Sequence, residues 1–369
     1  MRQEPLVRIW SLVLGGMTLT LAHLFHPIAY VMLPRGETAA WLATFLSGLV
    51  ALILFLPTAR FMSRHPGLDL VGLGRMAAGE PGAILTGVAV ALICLPQIGL
   101  VIRQTVEMAV SSVYPHTPET FATVALTICF VAGAFGRVSD LVRLCQSFFP
   151  VTLIAVLVLV GGSFAWGRMR YLLPFWGPGP LPVLKSGGFL AAEFGLPLLC
   201  VLNAAPFLEN SRQLALGSVV LLLGSTLLYA ATAVVYLMTF PLPFGYSLTF
   251  GLHEMARLVI GGRFLERLEG IWLFVWFYAT ASYLAAVLQT AAVAWSRAFH
   301  LRGHRLALPA LVSFSLIIAM MPPDQGRAIA WHETVMPYEL AVGLGLPLLL
   351  TLMAIVRERL SRKAVGCDS

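Results

Sequence analysis

The stretch "GGMTLTLAHLFHPIAY", residues 15–30, lies inside an apolar run that extends from about Val7 to Leu33 and is long enough to cross a bilayer. A plain anchor has no use for His23, His26 and Pro27 near its midpoint. Imidazoles in hydrocarbon are costly unless paired or wetted, and a proline removes one helical hydrogen bond and clashes with the preceding turn. Three readings compete: a histidine pair satisfied in the core beside a tolerated kink, an i, i+3 metal pair, and a helix break that lines a binding cavity. No third ligand is evident for a metal, so none is expected, and the break is favoured.

The rest of the chain sets the context for that break. Of 369 residues, 59% are hydrophobic and 11% charged, and the mean hydropathy is +0.86. Soluble domains average about 25% charged residues, so this is a polytopic membrane protein. The first apolar run has no small-residue cleavage pattern after it and is read as a retained span. Cys94, Cys129, Cys145, Cys200 and Cys367 form no CxxC or metal-type spacing and are expected as free thiols.

Apolar runs recur at 8–33, 39–60, 83–112, 119–135, 145–165, 186–207, 213–240, 265–296, 306–322 and 337–356, which predicts about ten transmembrane helices. With the N-terminus inside, fifteen Lys and Arg fall on the cytoplasmic side and eight outside, with Arg103 left within a span. That asymmetry places both termini in the cytoplasm. The net charge of +7 therefore orients the protein and implies no nucleic-acid partner.

The connection "WGRMRYLLPFWGPGPLPVLK", residues 166–185, divides ten spans into five and five. An odd number per half inverts the second half, the repeat of many secondary transporters. The chain is thus read as one polytopic domain, 1–369, with inverted repeats of approximately 1–165 and 186–357, an outer connection at 166–185 and an outer amphipathic segment at 241–264. In that segment Leu252, Met255, Leu258 and Val259 share one helical face opposite His253, Glu254 and Arg257.

An inverted repeat pairs span one with span six. Span six reads "AAEFGLPLLCVLNAAPF", residues 191–207, with Glu193, Gly195 and Pro197 near its middle. Both spans carry a proline beside polar or glycine residues, the signature of discontinuous helices around a midplane site. A break frees backbone N–H and C=O groups that a ligand can satisfy, and a half-helix N-terminus favours a carboxylate. Helical bonding is expected to fail around Ala22 to His26 and Glu193 to Pro197, with Pro27 at the first turn of a second half-helix. Thr20, Ala22, His23, His26, Gln97, Glu193, Gly195, Tyr278, Thr280 and Tyr283 are the candidate substrate-binding residues. Pro27, Pro197, Arg103 and Glu107 are candidate structural or gating residues, the last two being four apart and able to pair.

No phosphate loop, GxSxG, HExxH or catalytic carboxylate pair is present, so no catalytic residue, metal or cofactor is expected. A ligand carboxylate suits half-helix N–H groups or an imidazole, and a ligand ammonium suits Glu193. Only Thr18 and Thr20 offer hydroxyls for sodium on span one, so binding is expected to be independent of sodium and dependent on pH through the histidines.

The segment "FGLHEMARLVIGGRFLERLEGIWLFVW", residues 250–276, resembles the outer-loop-to-span-eight signature of the spore germination permease family, the B subunits of germinant receptors. "DLVGLGRMAAGE" (69–80), "LVIRQTVEMAV" (100–110), "APFLEN" (205–210) and "PLLLTLMAIVRER" (347–359) are similar to family segments in the same order. The resemblance covers nearly the whole chain. It implies an all-α, ten-helix fold of the leucine-transporter type in the amino acid/polyamine/organocation superfamily, with a 5+5 inverted repeat. It further implies a small-molecule germinant, usually an amino acid, residence in the spore inner membrane, and two partner subunits, a larger membrane subunit and a lipoprotein. A working amino-acid or small-solute transporter is the alternative. The chain departs from the family pattern in reading Ala22, His23, Leu24 where a G-x-G-like break is usual, and Leu196, Pro197 where Gly-Glu is usual.

Overall fold

The computed structural model describes residues 6–25, 28–112, 116–259 and 268–366. Among them the structure is helical apart from turns and one isolated bridge, Val7 to Leu208. Hydrocarbon supplies no hydrogen bonds, so a chain this apolar satisfies its backbone within helices. Among the described residues seven helices are long and apolar enough to cross a membrane, and shorter apolar helices at Ile9–Leu24, Glu119–Ala134 and Leu308–Met320 stand at the three remaining expected positions.

Span one comprises Ile9–Leu21, a 3-10 turn at Ala22–Phe25 and a second helix at Ile28–Gly36. Span six has the same construction: Pro180–Leu190, a 3-10 turn at Ala191–Phe194, then Gly195–Ala204. The break in span six falls slightly earlier than the sequence suggested, since Pro197 sits in the first turn of the resumed helix, where its missing N–H leaves nothing unpaired. His26 and Pro27 lie outside the described residues.

Two span starts and the placement of one side chain differ markedly from the sequence reading. Span three begins at Leu70 rather than near residue 83, because a short helix precedes a kink at Ala78 and Gly79. Gly79 has φ +70°, which glycine adopts without strain, and Pro81 restarts the helix. Span ten begins at Gln325 rather than 337, runs to Leu340, passes through a π-helical segment at Ala341–Gly345 and continues as Leu346–Gly366. Its first half is too polar to stand out by hydropathy, and the start is fixed by Asp324, whose side chain accepts from the Arg327 N–H at 2.8 Å. In the amphipathic segment the helix Gly251–Leu258 buries Leu252 and Met255 and keeps Glu254 and Arg257 paired at the surface, but His253 is buried with the apolar face.

The N-terminal segment is tied to the end of span six: the Val7 N–H donates to Phe207 O at 2.7 Å and the Glu209 N–H to Val7 O at 3.0 Å. These residues define the N-terminal face of the bundle. The 166–185 connection covers the opposite face, where the Thr38 hydroxyl donates to Pro174 O and Trp41 meets Phe175 edge-on.

Candidate functional site

The two 3-10 turns face each other through their side chains. His23 Nδ1 donates to Glu193 Oε2 at 2.5 Å across 170 residues of sequence, and both groups are almost fully buried. The other carboxylate oxygen, Oε1, accepts from His332 Nε2 of span ten at 3.3 Å. Glu193 therefore bridges the breaks of spans one and six to span ten. Span eight, Leu268–Ala298, closes one side with Tyr283, whose ring stands edge-on to His23 at 4.5 Å between centroids. Gln97 of span three neighbours the Tyr283 hydroxyl. Two turns beyond His332, Glu339 is also buried, and its Oε1 has no hydrogen-bond partner among the described residues. Among those residues no set of three His, Cys, Asp or Glu side chains has metal-binding geometry.

Span ten packs directly on the break in span six. A Cβ at Gly195 would lie 2.9 Å from Glu339 O, and one at Gly343 would lie 2.5 Å from the Gly195 Cα. On the face opposite the N-terminus the cluster is covered by Arg35. Its guanidinium pairs with Glu333 of span ten at 2.9 Å and lies 4.2 Å over the Phe189 ring, while its carbonyl accepts from Ser186 of span six at 2.7 Å. One residue thus fastens the second half of span one to spans six and ten. On the N-terminal side a cavity of about 30 Å³ lies between spans one, five, six and eight, lined by Gly15, Cys145, Cys200, Asn203 and Thr290. That is room for about two waters. Nearer the surface a polar cavity of about 550 Å³ is lined by Asp69, Arg75, Arg297, His300, Arg302 and His304, and Val138 borders both spaces.

Of the residues singled out from sequence, His23, Glu193, Gly195, Tyr283 and Gln97 come together here, and Ala22 is fully buried beside them. Thr280 is buried on the same helix as Tyr283. Tyr278 stands apart, its ring stacked on Phe148 of span five. Thr20 serves the break through its carbonyl, which accepts from the Tyr229 hydroxyl at 2.8 Å; its own hydroxyl donates to Gly16 O within the helix. Arg103 and Glu107 pair at 3.1 Å as their spacing suggested, with Glu119 also on Arg103.

Residues 11–327 match the family described as "Spore germination protein". The chain belongs to the spore germination permease family. Among its relatives from Bacillus subtilis (strain 168), Spore germination protein B2 is 22% identical over 97% of this chain and 96% of its own length. Spore germination protein A2 is 21% identical over 90% and 92%. Solved structures carry the fold further. MhsT in complex with L-phenylalanine superposes with a TM-score of 0.68 at 15% identity, covering 96% of this chain and 92% of that one. Mhp1, a nucleobase-cation-symport-1 transporter, superposes with 0.62 at 13%, covering 84% and 71%. This permease-family chain therefore has the leucine-transporter type of fold and is a permease-like, multi-pass membrane protein.

Two site residues were not among the sequence candidates, His332 and Glu339. The helix holding His332 is too polar to stand out by hydropathy, so nothing local marks its imidazole as intramembrane. Glu339 does carry a legible signal, since it falls inside the expected span 337–356 and an intramembrane carboxyl is by itself a pointer to function.

Proposed function

We propose that this chain is the permease-like subunit of a spore germinant receptor, binding a small germinant of the amino-acid class between the breaks of spans one and six and signalling its arrival to partner subunits. The observation that carries the reading is the 2.5 Å contact between His23 and Glu193, because it joins the two broken segments through an exchangeable ion pair. A ligand carboxylate entering at His23 takes the place of the Glu193 carboxylate. Glu193, still held by His332, then faces the ligand ammonium. The exchange replaces one charge-assisted contact with two, so binding draws the breaks into a new spacing. The hydroxyls of Thr18 and Thr20 are committed to backbone carbonyls, which supports binding without sodium.

The partners would be a larger membrane subunit and a lipoprotein, and the site of action the spore inner membrane. No catalytic step is assigned to the chain. A second reading, a working amino-acid or small-solute transporter, draws support from the Arg35 latch on one face and the 550 Å³ cavity on the other, an asymmetry suited to alternating access.

Binding of the twenty standard amino acids to purified protein, measured across about pH 5.5 to 8, tests the site. At least one should bind without sodium, with an affinity that varies over that range, and the variation should shrink in His23→Gln. Affinity that is flat with pH, or that requires sodium, refutes the exchange at His23. Uptake of the bound amino acid by vesicles containing this chain alone would select the transporter reading.

The orientation carries its own expected result. The fifteen-to-eight asymmetry of Lys and Arg puts both termini in the cytoplasm, so a cysteine introduced at the exposed Leu181 should react with an impermeant maleimide added outside cells. Reaction only after the cytoplasmic side is exposed would invert the topology.

A further inference from the structure

The proposed exchange uses Glu193 and its two histidines but leaves Glu339 without a role. This carboxyl is 1% exposed, and its Oε1 meets no donor among the described residues. The groups that face it are His332 on its own helix, Glu193 from the break in span six, Tyr283 from span eight and Cys94 from span three. Beyond Glu193 stands His23.

Charge balance in this cluster is restrictive. Glu193 is satisfied on both oxygens by imidazoles, and a single imidazolium neutralises it. His332 faces Glu339 but directs its Nε2 to Glu193 and makes no hydrogen bond to Glu339, so among the described residues no cation is in hydrogen-bonded contact with Glu339. An ionised carboxylate buried without a counter-charge is strongly disfavoured, whereas the neutral acid is tolerated. The position of the group adds a second observation. Its carbonyl lies where a Cβ on Gly195 would be 2.9 Å away, so its backbone touches the broken segment of span six. Two residues later the helix widens into the π-helical segment Ala341–Gly345, and two residues earlier it carries Pro337. Both are places where helices bend.

We propose that Glu339 is a proton-binding site at the hinge of span ten, loaded in the closed arrangement described here and unloaded when span ten separates from the break in span six. Separation admits water, the carboxyl O–H gives its proton to that water, and the resulting carboxylate, being hydrated, resists return to the closed packing. Closure is therefore linked to uptake of one proton, whichever solute the site takes. Proton concentration biases the same element that the ligand moves.

Infrared spectroscopy of the purified protein at about pH 7 reads the first half of this proposal. The wild type should show a protonated-carboxyl C=O band that shifts in D2O, retained in Glu333→Gln and missing from Glu339→Gln. Glu339→Asp, which keeps a carboxyl, should move the band without deleting it and serves if the glutamine variant does not fold. Hydrogen exchange of residues 335–346, corrected for the intrinsic rate, reads the second half. It should accelerate by about tenfold or more between about pH 6 and pH 9 in the wild type and stay level in Glu339→Gln. Absence of the band from the wild type, or its persistence in Glu339→Gln, overturns the proton site. Equal acceleration in both proteins overturns its link to span ten.

Discussion

Truncating Glu193 to alanine should remove about 3–5 kcal/mol of stability, the usual loss when one partner of a buried, hydrogen-bonded charge pair is deleted. Two imidazoles, one on the break of span one and one on span ten, lose their shared acceptor inside an apolar bundle. Neither can turn to bulk water. Glu193→Gln keeps the volume and an acceptor but loses the charge, and should cost less, about 1–3 kcal/mol. The two contacts are unequal in length, 2.5 Å to His23 and 3.3 Å to His332. A double-mutant cycle should therefore return a larger coupling for His23 with Glu193 than for His332 with Glu193. Exposed pairs give the contrast: Arg8 and Glu209 approach only to 4.0 Å at the surface, and deleting either should change stability by less than about 1 kcal/mol. Reversible denaturant unfolding in detergent measures all of these. A loss below about 1 kcal/mol for Glu193→Ala would show that water, not the histidines, satisfies this carboxylate.

Much of this arrangement was legible in the sequence because the membrane makes polar residues conspicuous. In hydrocarbon, His23 and Glu193 demand partners, and the proline and glycine near each mark where the backbone is interrupted, so the two breaks follow from local chemistry and their meeting from the inverted repeat. Where the signal failed, the cause was tertiary. Nothing local separates Tyr278 from Tyr283, five residues apart; which of them meets His23 depends on the rotation of span eight, and that is set by packing against span three. The stretch around His332 is polar enough to pass for a loop, and only burial against spans three and six makes it a membrane helix. The π-helical segment after Leu340 leaves no composition mark, since Ala, Val, Gly and Leu suit an ordinary helix equally well. The sequence offers His23 and His26 as neighbours and gives no sign that His332, more than three hundred residues from His23 along the chain, meets the same carboxylate as His23.

Gly343→Ala should disable the site more thoroughly than any other single added methyl in span ten. A Cβ there would stand 2.5 Å from the Gly195 Cα, 2.8 Å from its carbonyl carbon and 3.1 Å from its oxygen. All three are backbone atoms, so no side chain can rotate out of the way, and span ten must move off the break in span six. Overpacking of this kind costs about 1–3 kcal/mol, more than the roughly 1 kcal/mol that alanine gains over glycine in a helix. The displacement strains the 3.3 Å contact between His332 and Glu193 first, because it is the longer of the two that hold the carboxylate. Gly195→Ala meets the same interface from the other side at 2.9 Å from Glu339 O and 3.4 Å from the Gly343 Cα, and should act in the same direction with smaller effect. Gly188→Ala, also in span six, meets nothing within 4 Å and should be neutral or slightly stabilising. The measurement is amino-acid binding together with the amount of folded protein in the membrane for the three variants. The expected order of damage is Gly343, then Gly195, then Gly188, with binding lost in Gly343→Ala while folded protein remains. Full binding in Gly343→Ala would mean that spans six and ten can part without consequence, and that the contact between His23 and Glu193 holds the site without help from span ten.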